Sequence, residues 1–213
     1  WIRNPEAYDR EAYYRSLLWR ANGVDRPARA LVSAGTRAWA YRWDWRDEGR
    51  LFGLIDGSRL VGAAHGLEIP FVFGSFDSWP GRDVLFNEQN RPSREALSEA
   101  MMSYWAAFAA TGDPGRGRHG ELPLWPEWRA GAEMPEYLVF DIPQNGGIRT
   151  ASEPASREGV VALMEQQEPD SPAACAMFSA TFRNRVDAWA DAAWQRFKEG
   201  YCAGLPGAKR VSR

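Results

Sequence analysis

The chain has 213 residues and a formal net charge of −2, with 45% apolar and 25% charged residues. This length and composition are typical of one soluble globular domain with a sizeable core. The small net charge gives no electrostatic attraction to nucleic acid or to a membrane surface, and no apolar stretch is long enough to span a bilayer. Eleven tryptophans favour a packed core or an aromatic-lined pocket.

The first segment of the chain is predicted to be helical. Asn4 caps a helix that starts at Pro5 and ends at Asn22-Gly23, and Asp25 caps a second, shorter helix. The chain opens at Trp1 with neither an initiating methionine nor a signal-like pattern. We therefore expect either that processing has removed a segment or that the sequence starts inside a longer protein.

An aromatic strand is predicted over residues 37–45. Trp39, Tyr41, Trp43 and Trp45 alternate with smaller or polar residues, which is the period of a strand. Residues 46–62 contain four glycines and are predicted to form mostly loop. The motif Gly-Ala-Ala-His65-Gly-Leu-Glu-Ile-Pro-Phe-Val-Phe-Gly follows directly over residues 62–74.

The rest of the chain is predicted to be largely helical. Ser93 caps a helix that ends near 111–114, a glycine-rich loop covers 115–123, residues 137–141 form a short strand and 144–147 a turn. Ser156 caps a helix over 156–167, and a long helical region follows Ser171. Its apolar face recurs at spacings of three and four residues and comprises Phe178, Phe182, Val186, Trp189, Ala193 and Phe197.

The two cysteines, Cys175 and Cys202, do not make a disulfide scaffold. One straight helix over 173–199 would place their Cα atoms roughly 40 Å apart, at about 1.5 Å per residue, whereas a bridge needs about 7 Å or less. A bond between them therefore requires a break in the helix, and free thiols are the simpler expectation.

A histidine in a turn of small residues is by itself more often a hydrogen-bonded structural residue than a catalyst. The motif of residues 62–74, however, resembles the histidine motif of type-B carboxylesterases, the family that includes the cholinesterases. The strand 39–45, the helix and turn of 97–114 and the Trp-Pro element at 124–128 resemble the flanking parts of the same family. These motifs occur in the expected order, and the resemblance covers about residues 24–141.

The resemblance implies the C-terminal part of an α/β-hydrolase fold, with an incomplete sheet and a predominantly helical remainder that includes 156–200. Residues 1–213 would then be the C-terminal portion of one catalytic domain. Two or three predicted strands are too few for five or six helices in a complete α/β domain, which favours the same interpretation.

The implied reaction is hydrolysis of small carboxylic esters through an acyl-enzyme, with His65 as the triad histidine. No serine lies in a Gly-x-Ser-x-Gly pattern, and the family order places the nucleophilic serine and the acid upstream. We therefore expect the chain alone to be inactive and its partner to be the missing N-terminal part of the same enzyme. The alternative is a non-catalytic binding or adhesion module of the same family.

Other residues of the motif have open roles. Glu68 is either a supporting residue near the active site or an acid at a helix start. Leu67, Ile69 and Phe71 are predicted to contact substrate, although core packing is the alternative for Phe71 and for Phe73. His119 is interpreted as a solvated loop residue. Neither a metal nor an organic cofactor is expected, because the chain lacks the ligand spacing of a zinc site.

Overall fold

The computed structural model describes residues 4–51, 53–79, 81–129, 136–153, 155–182 and 188–205. Trp1 and Val186, which the predictions above use, lie outside these ranges. The strands are β1 (Tyr41–Trp43), β2 (Arg50–Leu51), β3 (Ile55–Asp56), β4 (Glu136–Phe140) and β5 (Arg149–Ser152). The α-helices are α1 (Pro5–Arg20), α2 (Arg26–Ser33), α3 (Gly57–Leu60), α4 (Ile69–Phe73), α5 (Arg82–Leu85), α6 (Arg91–Thr111), α7 (Arg157–Gln167), α8 (Ser171–Thr181), α9 (Ala188–Arg196) and α10 (Tyr201–Gly204).

The described residues form two compact units. One comprises those of 1–30 and 155–213, and the other comprises those of 31–154. The interpretation of 1–213 as part of a single catalytic domain stays a prediction.

The first unit begins with the predicted cap, since Asn4 Oδ1 accepts a hydrogen bond from the Ala7 N–H at 3.0 Å. The predicted stop at Asn22-Gly23 is wrong. A π-helical turn over Ala21–Asp25 connects α1 to α2 without interruption, and Asn22 Nδ2 donates to the Leu18 carbonyl at 2.7 Å. Asp25 is fully buried and ion-paired with Arg20 at 3.1 Å, so its carboxylate stabilises this turn instead of capping a new helix.

The cysteines form a disulfide, so the expectation of free thiols is wrong. Cys175 in α8 and Cys202 in α10 are both buried, and their Cα atoms are 5.5 Å apart. The bond is possible because 173–199 is not one helix: α8 ends at Thr181, and a left-handed turn at Lys198 and Glu199 reverses the chain after α9. The core around the disulfide comprises Tyr14, Leu18, Met164, Phe178, Phe182, Trp194 and Phe197.

The left-handed turn is strained at two non-glycine residues. Lys198 has φ 52° and Glu199 φ 57°, which cost about 1–2 kcal/mol each for residues with a Cβ. Lys198 offsets part of this cost, because its Nζ donates to the Glu165 carbonyl at 2.7 Å. Glu199 is exposed and has no such contact among the described residues.

Glu199→Gly is therefore expected to raise the free energy of unfolding by about 0.5–1 kcal/mol, because glycine adopts this conformation without a steric penalty. Urea unfolding followed by circular dichroism measures the change. Ala192→Gly, at an exposed position within α9, is the matched control and should lower stability by about 1 kcal/mol. Equal destabilisation by both substitutions would contradict the prediction.

The second unit contains a mixed three-stranded sheet in the order β1-β4-β5. β1 pairs in parallel with β4, with Tyr41 opposite Leu138 and Trp43 opposite Phe140, and β4 pairs antiparallel with β5. The predicted strand 137–141 is confirmed as β4. The predicted strand 37–45 is regular only over β1, and the predicted loop 46–62 also contains the two-residue strands β2 and β3 and the short helix α3.

The long helix α6 packs beside this sheet. It begins at Arg91, so the prediction of Ser93 as its cap is wrong, although the predicted end near Thr111 is confirmed. Pro92 suits the first turn of a helix, and the Ser93 hydroxyl instead donates to Asp47 Oδ2 at 2.8 Å. The core between α4, α6 and the sheet comprises Trp45, Phe71, Leu97, Met101, Tyr104, Trp125, Leu138, Phe140 and Ile142.

Candidate active site

His65 lies in an exposed turn between α3 and α4. The turn depends on Gly66, whose φ of 93° is open to glycine but strained for residues with a Cβ. The Ile69 N–H donates to the Gly66 carbonyl at 3.2 Å, and so the turn leads directly into α4. The imidazole is thus held near the start of a short helix, at a surface that another group can approach.

Helix α4 is fixed against α6 by two close contacts. The buried Ser98 hydroxyl of α6 donates to the Phe71 carbonyl at 2.7 Å. At the end of α4, a Cβ added to Gly74 would lie 3.0 Å from Met102 Sδ, so the absence of a Cβ at Gly74 leaves room for the Met102 side chain of α6. These contacts hold α4 in place and, with it, the turn that carries His65.

A cluster of aromatic side chains packs around Phe71 and holds α4 in place. The Phe71 ring lies 4.7 Å from that of Trp43, 5.1 Å from Trp45, 5.0 Å from Phe76 and 6.0 Å from Phe86, measured between ring centroids. Edge-to-face packing of this kind adds to the stabilisation from burial. Phe71 thus connects α4 to β1, to the segment that follows β1 and to the segment between α4 and α6.

Arg94 covers one side of this cluster. Its guanidinium lies 4.7 Å from the centroid of the Phe76 ring and 5.5 Å from that of Phe86, and its Nη1 donates to Asn90 Oδ1 at 2.6 Å. Burial lowers the pKa of Arg94 from its ordinary value. Cation–π contacts in a desolvated setting are worth about 2 kcal/mol, so Arg94 stabilises the two rings on which Phe71 packs.

Glu68 is bound to the histidine turn itself. Its Oε2 accepts a hydrogen bond from the Gly66 N–H at 2.8 Å, and it makes no capping hydrogen bond to α4. The carboxylate therefore braces the residue next to His65. Burial raises the pKa of the Tyr41 hydroxyl to about 12, and the negative charge of Glu68 adds to this shift, so Tyr41 stays protonated beside the carboxylate at neutral pH.

The three predicted substrate contacts have different environments. Leu67 and Phe71 are buried, whereas Ile69 is 45% exposed. Phe73, for which core packing was an alternative, is 73% exposed. The assignment of Leu67, Ile69 and Phe71 to substrate binding stays a prediction. His119 lies in an exposed loop, distant in sequence from this motif.

Sequence reasoning did not single out Tyr41, Arg94 or Glu48 as individual residues. Tyr41 belongs to an alternating strand pattern, Arg94 is one of many arginines, and Glu48 lies in a segment interpreted as loop. A signal for Arg94 exists only in hindsight, as an arginine on the apolar side of α6 next to Leu97 and Ser98.

The part of the chain that the structure describes contains neither a candidate metal site nor a candidate membrane span. No group of three or more His, Cys, Asp or Glu side chains there is arranged to hold a metal ion. Nor does any helix within the described ranges have the length and apolarity needed to cross a membrane.

A family model described as the carboxylesterase family matches residues 12–158, which is more than half of the chain. The chain therefore belongs to the carboxylesterase family. The match extends beyond the predicted 24–141 at both ends, and the resemblance proposed from the histidine motif is confirmed.

Individual relatives agree with this family. Carboxylesterase 4A of Bos taurus is 37% identical over 102 residues, which are 47% of this chain and 16% of that protein. Para-nitrobenzyl esterase of Bacillus subtilis (strain 168) is 32% identical over 128 residues, 59% of this chain and 22% of the relative. A solved structure of PNB esterase is 28% identical with a TM-score of 0.46, and covers 62% of this chain and 22% of its own.

The chain thus spans about a fifth of the length of these relatives. Family membership, together with the small mixed sheet and the predominance of helices, confirms the predicted α/β class with an incomplete sheet.

Proposed function

We propose that this chain supplies the catalytic histidine, His65, of a serine carboxylesterase whose nucleophilic serine and acid lie on polypeptide outside this sequence. The observation that carries the proposal is the exposed position of His65 in a turn braced by Glu68, within the segment that matches the family. A histidine closed inside a core could not reach a serine on another segment. The substrates would be small carboxylic esters.

The imidazole of His65 would act as a proton shuttle. It takes the proton of the serine hydroxyl as the serine attacks the ester carbonyl, and then gives that proton to the leaving alcohol. It next removes a proton from water, which hydrolyses the acyl-enzyme and regenerates the serine. The acid outside this sequence would hold the imidazole in the required tautomer and stabilise its cationic form.

Glu68 would support this role through its hydrogen bond to the turn. The carboxylate of Glu68 fixes the Gly66 N–H, which limits motion of the turn as the imidazole gains and loses its proton. A histidine held near its productive orientation loses less freedom in the transition state. Of the three proposed substrate contacts, the exposed Ile69 would touch an ester directly, while the buried Leu67 and Phe71 would act by packing.

The sheet also supports the proposal. Within the described residues β1 pairs on one side only, with β4, so no strand is hydrogen-bonded to its other edge. An open strand edge presents unpaired N–H and C=O groups, and folded proteins usually pair, cover or shorten such edges. A neighbouring strand from the remainder of the same enzyme would satisfy this edge.

The test compares the 213-residue chain with a longer product that includes the upstream coding sequence. The chain alone is expected to hydrolyse p-nitrophenyl acetate no faster than free imidazole, whereas the longer product should be an esterase. In the longer product, His65→Gln should lower kcat by about 10⁴-fold or more, because no other group moves the proton. His119→Gln, at the other histidine of the chain, is the control and should leave kcat unchanged.

Two outcomes would overturn the proposal. One is a catalytic burst from the pure 213-residue chain, and the other is full activity of His65→Gln in the longer product. An upstream sequence without a Gly-x-Ser-x-Gly elbow would instead support the non-catalytic binding module.

A further inference from the structure

Glu48 is a buried carboxylic acid whose carboxyl group has no hydrogen-bond partner among the residues that the structure describes. Its side chain has no accessible surface, and neither carboxyl oxygen accepts a hydrogen bond of good geometry from the residues that the structure describes. An ionised carboxylate in such a place would lack both water and a counter-charge. Glu48 lies between β1 and β2, in the segment that leads from the sheet to His65.

The backbone around Glu48 is held by side chains that precede and begin α6. Asn87 Nδ2 donates to the Glu48 carbonyl at 3.2 Å, and Asn90 Nδ2 donates to the Asp47 carbonyl at 2.7 Å. Ser93 donates to the Asp47 carboxylate. None of these bonds involves the Glu48 carboxyl, so they seat the segment and leave the acid enclosed without a hydrogen-bond donor among the described residues.

The same segment contacts the turn that precedes His65. A Cβ added to Gly62 would lie 3.6 Å from Arg46 Cδ, so the stem of Arg46 packs directly on this turn. Displacement of residues 46–48 would therefore remove a neighbour of the turn three residues before the histidine.

The charged groups that face Glu48 do not compensate for its enclosure. Burial is the main cause that raises the pKa of the Glu48 carboxyl to about 7, and the negative charges of Asp47 and Asp56 contribute to this rise. The backbone N–H of Glu48 itself and the guanidinium of Arg46 act in the opposite direction. The acid therefore keeps its proton through mildly acidic pH and loses it near neutrality.

We propose that Glu48 is a pH-sensitive latch, which keeps residues 46–49 seated against the start of α6 while it is protonated and releases them when it ionises. In an opened segment the carboxyl meets water and ionises at its ordinary value. Protonation of Glu48 thus stabilises the seated state relative to the opened state, and this stabilisation is lost as the pH rises from about 4.5 towards 7. The latch is a property of the chain itself and does not depend on ester hydrolysis.

Amide hydrogen exchange of the full 213-residue chain tests the latch. After correction for intrinsic exchange, the opening equilibrium of residues 46–49 is expected to rise about tenfold between pH 6 and pH 8 in the wild type. Glu48→Gln keeps the shape of the side chain without an ionisable group and should show no rise. Glu99→Gln, at an exposed position in α6, should behave like the wild type.

A rise of the same size in Glu48→Gln would overturn the proposal, as would a flat profile in the wild type. Direct titration of the Glu48 side-chain carboxyl by ¹³C NMR in the wild type gives an answer that does not require the variant to fold. A midpoint near 7 supports the latch, and a midpoint below 5 overturns it.

Discussion

Replacing Phe71 by alanine is expected to lower the free energy of unfolding of the second unit by about 3–5 kcal/mol. The ring is fully buried and contacts four other aromatic rings, from residues 43, 45, 76 and 86. Truncation removes these contacts and leaves a cavity that the surrounding rings cannot close without leaving their own positions. Among single substitutions in the histidine motif, this one should have the largest effect on stability.

Urea unfolding followed by tryptophan fluorescence measures the loss, because Trp43 and Trp45 both pack on Phe71. Phe73→Ala is the matched control: it is the same change in the same helix, but that ring is 73% exposed, so the cost should be within about 0.5 kcal/mol. If the two substitutions cost the same, Phe71 does not anchor α4.

The anchoring has a consequence for His65. Helix α4 starts four residues after His65, and Gly66 in the turn is hydrogen-bonded to the Glu68 side chain just before the helix. A displacement of α4 would therefore move the imidazole as well. A shift of about 1 Å in a catalytic group can cost about 10²-fold in rate. Phe71 and Glu68 would thus both position His65 for the proposed activity. Phe71 acts through packing, whereas Glu68 acts through a hydrogen bond.

Several local features could be predicted from the sequence because each depends on a few neighbouring residues. Asn4 and Ser156 cap helices as expected, since each side-chain oxygen needs only an N–H three residues later. The end of α6 near Thr111 follows from the glycine at 112, which has φ 73°. The strand β4 follows from a short run of apolar residues.

Features that depend on distant residues could not be predicted in this way. The turn at 21–25 continues the helix because the buried Asp25 is paired with Arg20 and accepts a hydrogen bond from the Ala155 N–H, 130 residues away. Strand β5 has little apolar character and forms because it can pair with β4. Short-range propensity contains no information about either partner.

The candidate site shows the same division. His65 and Glu68 were found because their motif is contiguous and resembles a family. The roles of Tyr41 and Arg94 depend on which rings and charges meet in three dimensions. The unusual state of Glu48 depends on the absence of a hydrogen-bond donor to its carboxyl group within the described part of the chain. No pattern within a short window reports such an absence, so the buried acid looked like an ordinary loop residue.

Loss of the disulfide between Cys175 and Cys202 is expected to lower the free energy of unfolding of the first unit by about 3.5 kcal/mol. The bond joins residues separated by 27 positions, and closing a loop of this length removes entropy from the unfolded chain by roughly that amount. Because both cysteines are buried in the core of this unit, reduction should require that the core open first.

Urea unfolding of the oxidised and the reduced protein compares identical side chains, so the difference in midpoint isolates the bond. Cys175→Ala, Cys202→Ala and the double variant should each lose a similar amount, since either single substitution already breaks the bond; additive losses would show that packing dominates instead. Two thiols that react with Ellman's reagent in non-reducing urea would contradict the disulfide itself.

The left-handed turn at residues 198–199 connects the disulfide test with the Glu199→Gly test, because this turn reverses the chain so that α10 can pack on α8. Because the strain at Glu199 belongs to the folded turn and the disulfide acts mainly on the unfolded chain, Glu199→Gly should raise the free energy of unfolding by about the same amount in the oxidised and the reduced protein.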